Sequence, residues 1–194
     1  MKIFNTLTSK EKKLAKIVRI KKGHILFREE DKCKYLAIVL EGSMSITSFT
    51  LLGHEIIYNT VNKNEMFGNN LLFSKKPYYK GDVSANEDSE VALLKKEDVL
   101  YLLQNNKSFL NHFLSATSEF GIRLNSKIKL LSLESAEERF IYYMSDNDNN
   151  ITFNSITSLA KELSLQRETL SRLIARLVKE KKIIKEKHII RLCN

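Results

Sequence analysis

The side chains whose types and spacing suit a chemical task lie together between Gln166 and Leu173. Arg167, Glu168, Ser171 and Arg172 fall within two turns of one predicted helix, away from Leu170 and Leu173. That set matches the edges of DNA bases. An arginine grips guanine O6 and N7 with two donors, and a glutamate accepts from cytosine N4. DNA phosphates repel a glutamate, so its place between arginines points to sequence reading rather than to charge attraction alone. Gln166 and Thr169 can donate to phosphate oxygens, contacts that set register without reading sequence.

Such side chains need a rigid mount. Leu159, Leu163, Leu165, Leu170 and Leu173 are apolar where a helix-turn-helix needs its inner face, and Ala160 is small where the two helices cross. The turn falls at Ser164-Leu165-Gln166, and the second helix continues to about Lys179. Glycine is more usual at the Ser164 position, which predicts a slightly strained turn or one built differently. Ile183-Ile184 and His188-Ile189-Ile190 then flank Lys185-Glu186-Lys187, the pattern of a hairpin. In a winged helix-turn-helix this hairpin is the wing, and Lys185 and Lys187 would meet backbone phosphate. Lys179, Lys181, Lys182 and Arg191 surround it, and from Ser155 to Asn194 ten basic residues stand against four acidic ones. Charge alone fits the lysine-rich face of a plain helical bundle as well. The apolar spacing, the arginine–glutamate pairing and the hairpin together decide for double-stranded DNA.

The preceding segment carries a different pattern. Leu110, Leu114, Thr117, Gly121, Leu124, Ile128 and Leu131 step by alternating fours and threes, a heptad seam in a helix over about 106–132. Two such helices pack side by side as a homodimer, although the stripe equally fits packing against its own chain. Thr117 and Gly121 are the odd members, and either close backbone approach or a ligand contact accounts for them. Upstream, Ile25–Phe27, Tyr35–Leu40, Met44–Thr47, Glu55–Tyr58 and Glu90–Leu94 are β-rich runs separated by turns at Gly23, Gly42, Gly53 and Asn62–Asn64. Regularly spaced short strands predict an all-β barrel or sandwich. A lysine-rich helix from Ser9 to Val18, capped by Thr8 or Ser9, is expected before them. Asp146–Asn150 has the opening spacing of a calcium loop, but Ile151 and Thr157 replace the required Gly and Glu, so it reads as a solvated turn.

Composition narrows the class. The chain has 194 residues, 43% hydrophobic and 28% charged, which is a globular composition. Lys and Arg exceed Asp and Glu by 32 to 23, a net charge of +9 that favours a polyanion partner. The first thirty residues hold nine basic and three acidic side chains, a second cluster with no evident DNA role. No run of eighteen apolar residues exists, so no membrane helix is expected. The start carries Lys10, Lys12, Lys13 and Lys16 without an apolar stretch, which does not read as a signal peptide. Two distant cysteines, Cys33 and Cys193, build no zinc or iron–sulfur site within one chain, and a cytoplasmic setting is the simplest.

Taken together, the chain resembles transcription regulators of the CRP/FNR family (cyclic-AMP receptor protein and fumarate-nitrate reductase regulator). Lys22–Phe27, Tyr35–Met44 and Glu65-Met66-Phe67-Gly68 are similar to that family's β-roll sensor, with Asn64 where its first turn glycine stands. Arg167–Leu173 is similar to its recognition helix. The resemblance implies an α+β chain with an N-terminal β-roll, a double-stranded β-helix of jelly-roll type, over 1–105. A dimerisation helix over 106–134 and a winged helix-turn-helix over 135–194 follow. It implies no enzyme activity, RNA polymerase as a partner, and an inverted repeat of TGA-containing half-sites. Glu168 and Arg172 would read the C and G of that half-site and Ser171 a neighbouring thymine. Arg167 would take a further guanine or a phosphate.

Departures from the family pattern concern the effector. Cyclic-nucleotide pockets of this family carry Glu after the turn glycine and an Arg-Ser or Arg-Thr pair further on. Here Gly68 is followed by Asn69, Tyr79 takes the arginine position, and Lys80 and Asp82 follow. A buried phosphate without a paired cation is costly, and Lys80 is a point charge rather than a fork, so Gly68, Asn69, Tyr79 and Lys80 read as a vestigial pocket. An unknown small-molecule effector and an effector-independent regulator both fit. Neither metal nor cofactor is expected: His24, His54 and His112 are isolated, and no cysteine cluster exists. Cys33 between Lys32 and Lys34 is a weak redox candidate beside its plainer reading as an inert loop residue. A cupin-type metalloenzyme would need further ligands beside His54-Glu55, and the sequence offers no second histidine nearby.

Overall fold

The computed structural model describes residues 3–53 and 55–193. His54, weighed above as a metal ligand, lies outside the described residues. Eight antiparallel strands form the N-terminal part: β1 Lys16–Ile20, β2 Ile25–Phe27, β3 Tyr35–Glu41, β4 Ser43–Phe49, β5 Glu55–Asn62, β6 Met66–Phe67, β7 Asp82–Ala85 and β8 Ser89–Lys95. They pair in two four-stranded sheets, ordered β1-β8-β3-β6 and β2-β7-β4-β5, which is the expected β-roll. Leu36, Ala37, Ile38 and Val39 are all fully buried, so this stretch of β3 is covered on both faces. The β3–β4 turn requires glycine: Gly42 has φ +78°, and a Cβ there would lie 2.3 Å from Ser89 Oγ and 2.8 Å from the Asp88 carbonyl.

The expected helix from Ser9 to Val18 does not form. Thr8 Oγ1 accepts from Glu11 N at 3.3 Å and the Glu11 carboxylate accepts from Thr8 N at 2.7 Å, capping a single 3-10 turn over Glu11–Leu14. Strand β1 starts two residues later and pairs with β8, setting Val18 opposite Val91 and Ile20 opposite Ser89. The β-branched Ile17, Val18 and Ile20 suit a strand, and the ladder with β8 outweighs the helix preference of the lysines.

Helix α1 is the single turn Asn69–Leu72, α2 spans Lys96–Asn105, and α3 spans Lys107–Ser132. Asn106 separates α2 from α3, its Oδ1 accepting from Phe109 N at 2.9 Å, which caps the longer helix. Phe109 and Phe113 are buried with the roll. One compact unit runs to Phe120 and a second begins at Gly121, so α3 contributes to both.

In the second unit α4 Ala136–Asp146 opens with a capping box between Ser135 and Glu138. Strand β9 Asn150–Thr152, α5 Ile156–Glu162, α6 Arg167–Lys179, β10 Ile183–Glu186 and β11 Ile189–Leu192 follow. The sheet order is β10-β11-β9. Between α4 and β9, Asp148 and Asn149 take φ of 53° and 59° in an exposed turn, a left-handed conformation these two residue types tolerate. Phe140, Met144, Leu159, Leu163, Leu170, Leu177 and Ile190 form the core that holds α5 and α6.

Candidate nucleic-acid interface

The helix-turn-helix is built on the five leucines. Leu163 and Leu170 are fully buried, Leu159 and Leu173 nearly so, and Leu165 is partly buried against the same core. Ala160, 2% exposed, lets α5 and α6 cross closely. Ser164 has φ 52°, the left-handed position where glycine is usual. Leu165 N donates to the Ala160 carbonyl at 2.9 Å and Ser164 N to the Lys161 carbonyl at 3.1 Å. That pair of bonds is a Schellman closure, so the turn is made without glycine at the cost of a strained serine.

Helix α6 then presents one face. Leu170, Leu173, Ile174 and Leu177 are buried beneath it. Arg167, Glu168, Ser171 and Arg172 are exposed on its N-terminal half, and Gln166 is exposed while Thr169 is half-buried. Arg167 Nη1 lies 3.8 Å from Glu168 Oε1, and Arg172 Nε donates to the Glu168 carbonyl at 3.4 Å. Gln166 makes no side-chain cap, which leaves the first N–H groups of α6 without that partner. The fold thus brings together the four side chains chosen from spacing.

The hairpin beyond α6 forms with Glu186 opposite Ile189, and Lys187 turns at φ 21°. Lys185 and Lys187 are exposed and make no ion pair among the described residues. The other basic residues divide differently. Lys182 pairs with Glu180 at 2.9 Å and Glu137 at 3.6 Å, Arg176 with Glu137 at 2.5 Å, and Arg191 with Glu186 at 3.4 Å. The Glu180 carboxylate holds the Lys182 pKa above its ordinary value. Lys182 and Arg191 therefore face carboxylates of their own chain, and the local surplus overstates the charge offered to a partner.

Two basic residues escaped the sequence reading. Lys127 Nζ donates to the Glu162 carbonyl at 2.5 Å, and Arg139 Nη1 donates to the Ser164 carbonyl at 3.3 Å. Both cap the C-terminal end of α5. No periodicity marks a cation that meets a carbonyl across the fold.

The seam of α3 is largely uncovered in the single chain. Leu114, Leu124, Ile128 and Leu131 are each about half exposed, between 48% and 56%, and Leu110 is half-buried. Thr117 accepts from Asn69 Nδ2 at 3.0 Å, which accounts for its polar side chain within the protomer. A Cβ on Gly121 would meet nothing within 4 Å, so no contact of its own chain requires that glycine.

In the roll, Gly68 takes φ +82°, and a Cβ there would lie 2.8 Å from the Tyr35 carbonyl. Tyr79 is 1% exposed and stacks on Phe27 at 4.9 Å with 10° between planes. Among the described residues its hydroxyl makes no hydrogen bond of standard geometry; burial, and then the neighbouring Cys33 thiol, push its pKa up. Lys80 turns outward to Glu30, Nζ to Oε1 at 3.0 Å, with 67% of its side chain exposed. Asp82 Oδ1 accepts from Glu29 N at 2.8 Å. Cys33 is 4% exposed, and burial raises its thiol pKa, so the flanking lysines do not produce the thiolate that a redox role needs. Among the described residues no three His, Cys, Asp or Glu side chains converge as a metal site.

Residues 17–106 match the model of the cyclic nucleotide-binding domain. The anaerobic regulatory protein of Bacillus subtilis is 24% identical over 174 residues, covering 84% of this chain and 73% of that protein. The N-terminal part thus matches a cyclic nucleotide-binding domain, and the described chain shares its fold with solved regulators. The solved structure of FixK2 from Bradyrhizobium japonicum shares the fold, with TM-score 0.63, 19% identity and 93% of each chain covered. So does a structure from Eubacterium rectale described as a transcriptional regulator of the crp/fnr family, with TM-score 0.56 and 16% identity over 99% of this chain and 93% of that one. At the positions read above as a vestigial pocket the roll is filled: Tyr79 occupies core volume, and Lys80 pairs with Glu30. No described helix is long and apolar enough to cross a membrane.

Proposed function

We propose that this chain is a CRP/FNR-type regulator: cytoplasmic, homodimeric, DNA-binding and sequence-specific, reading an inverted repeat. The observation that carries this reading is the exposed set Arg167, Glu168, Ser171 and Arg172 on the uncapped N-terminal half of α6. A recognition helix enters the major groove by that end, and unsatisfied helix N–H groups welcome a phosphate. Gln166, Thr169, Lys185 and Lys187 supply the sequence-independent contacts. The uncovered seam of α3 supports a second copy as partner, with Leu114, Leu124, Ile128 and Leu131 as its knobs. Half-sites about 34 Å apart suit such a dimer. By the resemblance, they contain TGA, and RNA polymerase is a further partner.

The effector is not cyclic AMP. A cyclic phosphate needs a buried fork of donors, and the position that would supply it holds the stacked ring of Tyr79. A second reading, a regulator competent without any small molecule, is favoured by the Asn69–Thr117 hydrogen bond, which joins the roll directly to α3. Electrophoretic mobility shift with purified, ligand-free protein tests both. Binding to an inverted repeat without additive supports the second reading. Binding that needs cyclic AMP overturns the effector assignment, and binding to no duplex under any condition overturns the DNA assignment.

A further inference from the structure

The Schellman closure of α5 uses the carbonyls of Ala160 and Lys161, and two more carbonyls of the same turn are taken by cations from elsewhere. Lys127, near the end of α3, donates to Glu162 at 2.5 Å. Arg139, on α4, spans three carbonyls: Leu131 at 3.5 Å, Leu133 at 3.0 Å and Ser164 at 3.3 Å. Tyr143 adds a hydroxyl bond to the Glu162 carboxylate. Leu131 belongs to the last turn of α3 and Ser164 to the turn that launches α6. One guanidinium and one ammonium therefore tie the end of the long helix to the start of the recognition helix. Burial lowers the Lys127 pKa, and the nearby Glu162 opposes that shift, as expected for a cation held inside such a cluster.

We infer that Lys127 and Arg139 are positioning residues that fix the direction of α6 against the end of α3. They thereby set the half-site spacing that the dimer accepts. The inference rests on the DNA-binding dimer proposed above. If α3 carries the dimer axis, the angle at this clamp decides how each recognition helix meets its groove. A 13-residue helix is about 20 Å long, and a tilt of ~10° moves one end by ~3 Å, close to one base-pair step. A few hydrogen bonds at the pivot can thus separate neighbouring spacings.

The test uses full-length wild type, Lys127→Met, Lys127→Arg and Arg139→Lys. Each is titrated on duplexes carrying the half-site that wild type selects from randomised DNA, with the spacer varied in single base pairs. Wild type should prefer one spacer, and Lys127→Met should cut that preference by about tenfold while keeping the base preference within each half-site. Lys127→Arg, which still reaches the Glu162 carbonyl, should restore it. Arg139→Lys keeps the charge but cannot span three carbonyls, so it should relax spacing in the same direction and serves if Lys127→Met does not fold. Spacing preference unchanged in the folded variants overturns the inference, and so does equal loss at every spacing. Failure of wild type to bind any duplex overturns the DNA reading itself, and that outcome is visible before any variant is compared.

Discussion

The two units treat their polar side chains in opposite ways. On α6 the arginines, glutamate and serine stand in solvent over a leucine core, with weak partners of their own. In the roll, Tyr79, which the resemblance sets at an arginine position, is core. The C-terminal unit holds these side chains on its surface, while the N-terminal unit buries Tyr79 with its hydroxyl unpartnered among the described residues. Fold and site are separable statements.

That contrast breaks most visibly at Tyr79. Tyr79→Ala should cost about 3–5 kcal/mol in urea denaturation, the range for removing a buried aromatic ring. A loss below 1 kcal/mol would mean that the ring occupies an open pocket rather than core. Next in size is the reading face: Glu168→Ala should cost ~1–3 kcal/mol of discrimination at one base position, measured by competition binding with single-base variants. Ser164→Gly relieves a left-handed serine and should add about 1 kcal/mol without changing sequence preference. Lys185→Ala is the smallest: it should weaken binding to all sequences alike and reduce the slope of affinity against salt by about one. Calorimetry with cyclic AMP should detect no micromolar binding, and a micromolar affinity would return the roll to the family's usual role.

Much of this was legible in the residues. The strands around Tyr35–Glu41 and Ser89–Lys95 declare themselves as β-branched and apolar runs bounded by turns. The leucines of α5 and α6 keep strict helical spacing, and Ser164 occupies the left-handed position its place in the motif implied. Strand β1 was hidden because its lysines favour helix locally, while its partner β8 lies some seventy residues away. The burial of Cys33 was hidden for a related reason: its charged neighbours are adjacent in sequence, but the residue itself is core. The charge surplus around the wing includes Lys182 and Arg191, whose carboxylate partners only the fold brings close. The clamp at Lys127 and Arg139 has no sequence pattern, since its acceptors are backbone carbonyls that any residue carries.

Arg167, Glu168, Ser171 and Arg172 are the side chains through which α6 is proposed to read bases. The most direct test is selection from randomised inverted repeats by wild type and by Glu168→Ala, followed by sequencing of the bound DNA. The account predicts a sharp wild-type consensus with a C·G pair in each half-site, and a variant that relaxes that position while keeping the others. A variant whose consensus equals that of wild type at every position, with affinity merely lowered, would contradict it.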